Sequence, residues 1–322
     1  MSKIIQYFPF NSEFIPSDPS VICLGNFDGV HIAHKALVDE AINIKEEMYR
    51  SGQKVRVGAL CFDSLTADHF GGKVPHLMSL TQKLNAFRDM GLDFVYVCSF
   101  AEVKNMSPDD FIEKVLWAEC FCVSAVCGYN FKFGKGAIGN GAHLKKRFYE
   151  RYRDKHCFRM VDNIMYEGRP VSSSAIRECL KDGDLTTANA MLGRPFSICH
   201  TVVRGKHLGT SLGFPTLNHV FREKEIVPAY GIYATKTKVN GKVYLSATNI
   251  GVRPTVSVSD TVTCETYIID IDIRDSDLYG NDVEILFYSK LRGEMRFESF
   301  DQLSVAISND VKNVKAYFAV NE

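Results

Sequence analysis

The sequence predicts two joined folds, a parallel α/β sheet over residue 20 to about 162 and a small antiparallel β-barrel closed by a C-terminal helix. Three observations predict it. A chain of 322 residues is long for one hydrophobic core and suits about two domains. In the first half, short β-branched runs alternate with longer segments of helical period, the pattern of strands joined by crossover helices. After Gly193-Arg194-Pro195 the pattern changes to alternating runs separated by turn dipeptides, which is how antiparallel strands read.

Residues 21–24, 55–62, 94–98, 122–127 and 157–161 are the expected strands of the first half, being short, apolar and bounded by turn residues. A helix is expected from about 33 to 51, closed by Gly52, and another through Leu80, Leu84 and Phe87, ended by Gly91. Ser107-Pro108-Asp109-Asp110 opens a third, with serine as cap and proline in the first turn. Two more helices, 174–181 and 185–192, precede the Gly-Arg-Pro break, which divides the chain into domains 1–192 and 193–322. Beyond it, Gly231-Ile232-Tyr233-Ala234-Thr235 and residues 263–269 read as strands and Asn240-Gly241 as a hairpin turn. In the tail, Phe300, Leu303, Ile307, Val311, Val314 and Phe318 step by three or four residues and form one apolar helical stripe.

Composition removes several classes of function. With 38 basic and 38 acidic side chains the formal charge is zero, so no overall field draws in a polyanion such as DNA. Hydrophobic residues at 46% and charged residues at 24% are ordinary for a globular chain and argue against extensive disorder. The ten cysteines include no Cys-x-x-Cys pair, and several, such as Cys23 in Val21-Ile22-Cys23-Leu24, sit in apolar runs as small buried hydrophobes. A chain of this size does not need disulfides, the first residues lack the apolar stretch of a signal peptide, and no 18-residue apolar run occurs. The expectation is a cytoplasmic protein with neither a nucleic-acid nor a membrane partner.

Gly25-Asn26-Phe27-Asp28-Gly29-Val30-His31-Ile32-Ala33-His34 lies between the first strand and the first long helix, where open α/β sheets bind ligands. Gly25 and Gly29 permit a tight turn, and the helix start behind them offers unpaired N–H groups suited to phosphate. His31 and His34, three residues apart, would face the same anion and donate hydrogen bonds to phosphoryl oxygens as charge builds. No Cys, Asp or Glu at ligand spacing accompanies the pair, so it does not read as a metal site.

A second dense segment, Val203-Arg204-Gly205-Lys206-His207-Leu208-Gly209-Thr210-Ser211-Leu212-Gly213-Phe214-Pro215-Thr216-Leu217-Asn218, belongs to the β domain. Gly205, Gly209 and Gly213 let backbone amides approach phosphate, with Lys206 beside them. Thr216 and Asn218 supply neutral oxygens for a Mg²⁺ that also holds ATP oxygens.

These segments resemble the bacterial bifunctional riboflavin kinase/FMN adenylyltransferase family. The first is similar to its Gly-x-Phe-Asp-Gly-x-His-x-Gly-His signature, Cys127-Gly128-Tyr129-Asn130-Phe131-Lys132-Phe133-Gly134 to its second adenylyltransferase segment, and Val171-Ser172-Ser173-Ser174-Ala175-Ile176-Arg177 to its Ile-Ser-Ser-Thr-x-Ile-Arg segment. The glycine-rich run resembles the kinase fingerprint ending in Gly-Phe-Pro-Thr-Ala-Asn. Cys264-Glu265-Thr266-Tyr267, Asn249-Ile250-Gly251-Val252-Arg253-Pro254-Thr255 and Leu291-Arg292-Gly293-Glu294-Met295-Arg296-Phe297 recur in family order.

The resemblance implies a Rossmann-like, nucleotidyltransferase-like first domain and a riboflavin-kinase barrel. It implies ATP contacts from Phe27, Asp28, Asn130, Ser172, Ser173, Ser174 and Arg177, a general base in Glu265, and flavin contacts from Arg292 and Phe297. Riboflavin, FMN and ATP are then the small-molecule partners, Mg²⁺ the metal, FAD the final product and flavoproteins its clients.

The chain departs from the family pattern at Ala33 (usually glycine), Ser174 (usually threonine), Ala137 (usually arginine) and Cys61-Phe62-Asp63-Ser64-Leu65-Thr66 (usually Thr-Phe-Asp-Pro-His-Pro). Those departures leave open a chain that is a kinase alone. Gly134-Lys135-Gly136-Ala137-Ile138-Gly139 fits Gly-x-Gly-x-x-Gly and leaves an NAD-dependent oxidoreductase as a rival, although it sits mid-sheet with no acidic residue at the end of the next strand. A non-catalytic flavin-binding protein is the other rival.

Overall fold

The computed structural model describes residues 4–8, 18–154, 156–205, 212–253, 261–271 and 278–321, excepting the side chains of 4–8, Phe70, Arg253 and Thr261. The chain divides by its own contacts into two compact units, Met1–Ser173 and Ser174–Glu322.

Unit 1 runs β1 (Ile4–Phe8), β2 (Ser20–Leu24), α1 (Ile32–Arg50), β3 (Arg56–Phe62), α2 (Leu80–Asp89), β4 (Phe94–Cys98) and α3 (Phe100–Val103). It continues with α4 (Pro108–Asp110, carried on as a π-helical stretch, Phe111–Glu119), β5 (Cys122–Gly128), β6 (Lys132–Phe133), β7 (Gly139–Asn140) and α5 (Gly141–Tyr152). β8 (Phe158–Val161), β9 (Met165–Tyr166) and β10 (Arg169–Pro170) complete it.

Six strands form one parallel sheet in the order β1-β4-β3-β2-β5-β8. All five expected strands are there. β2 is buried along its whole length, as befits a parallel strand covered on both faces. Its Ile22 and Leu24 join the cluster around Phe94, Phe111 and Phe148, and its Val21 and Cys23 join Leu37, Val57 and Phe87 on the other side. From β2 the chain first builds outward through β3 and β4, then crosses back to lay β5 on β2's other edge. The carboxyl end of β2 is therefore the switch point at which such sheets open a crevice.

Beyond the short α3, β6, β7, β9 and β10, two longer elements of unit 1 were not expected. β1 pairs with β4 at the sheet edge. α5 buries only Gly141, Leu144 and Phe148 in a helix otherwise rich in Lys, Arg and Glu, too thin an apolar stripe to stand out.

Unit 2 begins within α6 (Ser173–Asp182), followed by α7 (Leu185–Leu192), β11 (Phe196–Thr201), β12 (Thr216–Val220), β13 (Gly231–Val239), β14 (Lys242–Arg253), β15 (Thr261–Ile268), β16 (Asp282–Arg292) and α8 (Phe300–Asn321). Gly193 ends α7 in the left-handed conformation, φ 71°. The strands form an antiparallel sheet in the order β11-β16-β13-β14-β15-β12. Just past β11, Val203 bridges to Asn218 of β12, joining the two edges and curling the sheet into a barrel. The β13–β14 hairpin turns on Asn240 and Gly241, whose φ values of 49° and 78° match a turn with both central residues left-handed.

One face of the sheet carries a buried hydroxyl chain. Thr235 Oγ1 lies 2.8 Å from both Ser246 Oγ and Thr248 Oγ1, and Thr248 Oγ1 lies 3.0 Å from Thr266 Oγ1. Each of these hydroxyls can donate to the next, so polar side chains are buried without being orphaned. On the other face, α8 lays Val314 and Phe318 against Ala234 and Ala247. Phe300, expected to open the α8 stripe, is 63% exposed, so the apolar contact is made by the later turns. All ten cysteines are free, nine of them buried.

Candidate functional site

In unit 1, residues 25–34 bridge the end of β2 and the start of α1. The turn is held in a conformation that side chains disfavour: Phe27 has φ 51°, Gly29 φ 83° and Val30 φ 39°. Such backbone persists only where its surroundings over-determine it. Phe27 is fully buried, its ring edge-on to Phe87 at 5.0 Å and tilted against His34 at 5.1 Å. Asp28 is buried and accepts a 3.0 Å hydrogen bond from the Leu77 amide, so its carboxylate braces the turn from behind.

His31 and His34 stack, with ring centroids 3.6 Å apart and planes 14° from parallel. The His31 amide donates to His34 Nδ1 at 3.3 Å. With Nδ1 accepting, the neutral His34 ring carries its proton on Nε2. Ala33 occupies the first turn of α1, a helical position that alanine takes readily.

Neighbouring loops close on this turn. β5 is paired with β2 in parallel, Leu24 opposite Cys127, so Asn130 leaves the sheet beside Gly25, exposed. Ser173 Oγ donates to the Asp28 carbonyl at 2.8 Å. Ser172 immediately precedes α6, while Ser174 and Arg177 lie on its part belonging to unit 2.

The segment that lacks the family's prolines is tied by polar contacts instead. Asn26 Nδ2 donates to Thr66 Oγ1 at 3.1 Å, Ser64 Oγ lies 2.8 Å from His69 Nε2, and Asp63 accepts from Ser64 Oγ at 2.9 Å. Lys83, which the sequence did not single out, is buried on α2 and donates to the Asn26 carbonyl at 3.1 Å. A helical lysine reads as surface, and only the tertiary contact with Asn26 marks it otherwise. Burial pushes the Cys61 thiol up to about 11, with Lys83 pulling the other way, so Cys61 is an inert thiol. The Gly-x-Gly-x-x-Gly run proves to be the turn of the β6–β7 hairpin, not a strand-to-helix turn, and so loses its dinucleotide reading.

In unit 2 the strand register assembles a row. Asn218 of β12 is opposite Glu265 of β15, Glu265 opposite Asn249 of β14, Asn249 opposite Ile232 of β13, and Ile232 opposite Arg292 of β16. Directly opposed residues share a face, so the Glu265 carboxylate is flanked by two carboxamides. Asn249 is a residue that the sequence placed only within a longer segment. The row lies on the face that α8 covers, one step along β14 from Ala247. A Cβ on Gly251 would strike the Glu294 carboxylate, so the segment after β16 passes over the same face.

Gly205 has no room for a Cβ against the Asn218 carboxamide, which brings the backbone at Gly205 onto the row. Asn218 Nδ2 donates to the Thr216 carbonyl at 3.1 Å, and Thr216, two residues before it on β12, shares its face. Hydroxyl and amide oxygens beside a carboxylate are the hard donors that Mg²⁺ prefers, so this set fits a magnesium ion shared with phosphate. Gly213, with φ 84°, turns the chain into β12, while Lys206 and Gly209 lie outside the described residues.

Arg292 is held by a buried acid. Its Nε and Nη2 meet the two oxygens of Asp310 at 2.9 and 2.7 Å, which ties β16 to α8. Phe297, half-buried, follows in the connection to α8.

A turn between strand end and helix start in one unit, and a row of Asn218, Glu265 and Asn249 in the other, are arrangements that suit a nucleotide-dependent group-transfer enzyme. A family model described as FAD synthetase matches residues 15–175, and one described as riboflavin kinase matches 192–318. A bifunctional riboflavin kinase/FMN adenylyltransferase from Listeria monocytogenes is 30% identical over 99% of both chains. One of the same name from Haemophilus influenzae is 32% identical over 92% of this chain and 94% of its own. A crystal structure described as a macrolide-efflux protein from Streptococcus pneumoniae superposes with a TM-score of 0.81 over 97% of this chain and 99% of its own; at 21% identity it speaks for the fold alone. Among the described residues no helix is long and apolar enough to cross a membrane. The chain belongs to the bifunctional riboflavin kinase/FMN adenylyltransferase family.

Proposed function

We infer that this chain makes FAD from riboflavin in two ATP-consuming steps, phosphorylation to FMN in the barrel and adenylylation of FMN in the α/β unit. Membership of a bifunctional family along the whole chain, with both halves matched, carries this reading. A kinase-only chain is not favoured. The segment that lost its prolines is fastened to the signature turn through Asn26 and Thr66, so the departure keeps the turn braced. We place the functional boundary at Gly193. α6 and α7 pack with unit 2, but Ser174 and Arg177 on α6 are assigned to the first reaction.

In the kinase step, Glu265 accepts the proton of the riboflavin 5′-hydroxyl as that oxygen attacks the γ-phosphorus of ATP and ADP leaves. Asn218 and Asn249 stand on either side of Glu265 in the strand register. Gly205, Gly209 and Gly213 present backbone amides to the phosphates, and Lys206 adds charge. Thr216 and Asn218 would hold Mg²⁺, which supplies neutralisation of the phosphate oxygens. Arg292 and Phe297 are assigned to the flavin side, with Arg292 held in place by Asp310.

In the adenylyl step, an FMN phosphate oxygen attacks the α-phosphorus of a second ATP and pyrophosphate leaves. His31 and His34 donate to the phosphoryl oxygens as charge builds. The turn holding Gly25, Phe27 and Gly29 exposes the α1 amides, and Asp28 holds that turn in shape. Asn130, Ser172, Ser173, Ser174 and Arg177 are the further ATP contacts. The proposed location is the cytoplasm, which suits ten free thiols, with flavoproteins as clients of the products.

Incubating the purified chain with riboflavin, ATP and Mg²⁺ and separating the flavins over time tests this directly. FMN should rise first and FAD follow. FMN alone would reduce the function to the kinase, and neither product would overturn it.

A further inference from the structure

We propose that Lys83 is a positioning residue for adenylyl transfer, its buried ammonium supplying, behind the turn of residues 25–29, the fixed positive charge that the nucleotide's polyphosphate meets. The proposal rests on assigning that turn to the adenylyltransferase reaction.

Lys83 is only 5% exposed, on the first turns of α2. Among the described residues its one hydrogen bond goes to the Asn26 carbonyl at 3.1 Å, and no carboxylate forms an ion pair with it. An ammonium has three N–H donors, and a single carbonyl answers one of them. A buried cation without a counter-ion is strongly unfavourable, and an anion reaching it would relieve that cost. Asp28, on the same turn, directs one oxygen to the Leu77 amide.

The turn needs no cation to hold its shape, since Phe27, Asp28 and the Asn26–Thr66 contact brace it. The charge is therefore surplus to the fold and stands against the Asn26 carbonyl, on the turn that leads into α1. A triphosphate, or the pyrophosphate released from it, supplies the counter-charge that no described carboxylate gives, and the same field stabilises the negative charge that builds on the departing pyrophosphate.

Two variants of the full chain separate charge from anchorage. Lys83→Gln keeps a donor for the Asn26 carbonyl and removes the charge; Lys83→Met removes both. Adenylyl transfer is measured in both directions, as FAD from FMN and ATP, and as FMN from FAD and inorganic pyrophosphate. Loss of a charged hydrogen bond predicts that Lys83→Gln raises KM for ATP and for pyrophosphate about ten- to a hundredfold. Riboflavin kinase activity of the same preparation should be unchanged.

If KM stays at the parent value in Lys83→Gln, the proposal is overturned, whether or not Lys83→Met is impaired, because a retained donor would then suffice. Should Lys83→Met fail to fold, Lys83→Gln decides alone. His31→Ala tests the underlying assignment separately. Full adenylyl transfer in that variant removes the assignment and this inference with it, whereas loss in His31→Ala beside an unaffected Lys83→Gln overturns only the role of Lys83.

Discussion

In unit 1 the residues assigned to phosphoryl charge lie within one stretch of chain, residues 25–34, whereas in unit 2 Asn218, Asn249 and Glu265 come from three strands and meet only through register. A parallel sheet offers its ligand the ends of strands, where one loop and one helix start supply turn, amides and side chains together. An antiparallel barrel offers its wall, where neighbours in space sit on different strands. The two proposed sites thus differ in kind, a local motif in one half and a non-local row in the other. A change in the motif should act on a loop, and a change in the row on a sheet.

The comparison breaks most sharply at the two chemical groups. Glu265→Gln should lower FMN formation about 10²- to 10⁴-fold, the range of a general base, and leave FAD formation from supplied FMN near the parent rate. Initial rates for each flavin measure both. His31→Ala should do the reverse, lowering FAD formation about 10²- to 10³-fold with the kinase intact. Parallel loss of both activities in either variant would mean that the units are not independent sites.

Two stability measurements sharpen the picture of unit 2. Arg292→Met leaves Asp310 buried without its cation and should cost about 3 kcal/mol or more in denaturant unfolding, an effect that Asp310→Leu in the same chain should largely reverse.

His219 is completely buried on β12, and burial, helped by nearby His200, lowers its pKa from 6.5 to about 4. The folded chain keeps this ring neutral while the unfolded chain protonates it below 6.5. Its contribution is therefore full above that pH and lost as pH falls through about 4. Unfolding at pH 7 and pH 4 should differ by up to about 3 kcal/mol from this group, and His219→Leu should flatten that slope. An unchanged slope would exclude His219 as its source.

Much of this was legible in the chain. Buried parallel strands are continuous apolar runs, so five of the six appear as such, and Asn240-Gly241 announces its hairpin because both residues tolerate positive φ. α5 was not legible because Leu144 and Phe148 are scattered among charged residues. The motif of residues 25–34 is legible because it is contiguous, whereas the burial of Lys83 against Asn26 is not, because the two lie 57 residues apart. Asp28 and Arg292 were read as ligand contacts, and the structure gives each a bracing bond, to the Leu77 amide and to Asp310.

The sequence by itself determined which fold each half adopts and where the phosphate-suited turns lie, because burial periodicity and glycine-permitted turns act over a few residues. It also determined the family, whose motifs are contiguous. The tertiary structure alone decided that Asn249 stands beside Glu265, that Lys83 is buried without a carboxylate among the described residues, and that the two histidine rings stack. Register, burial and ring packing depend on segments far apart in the chain, and the energy that selects them exists only once those segments have met.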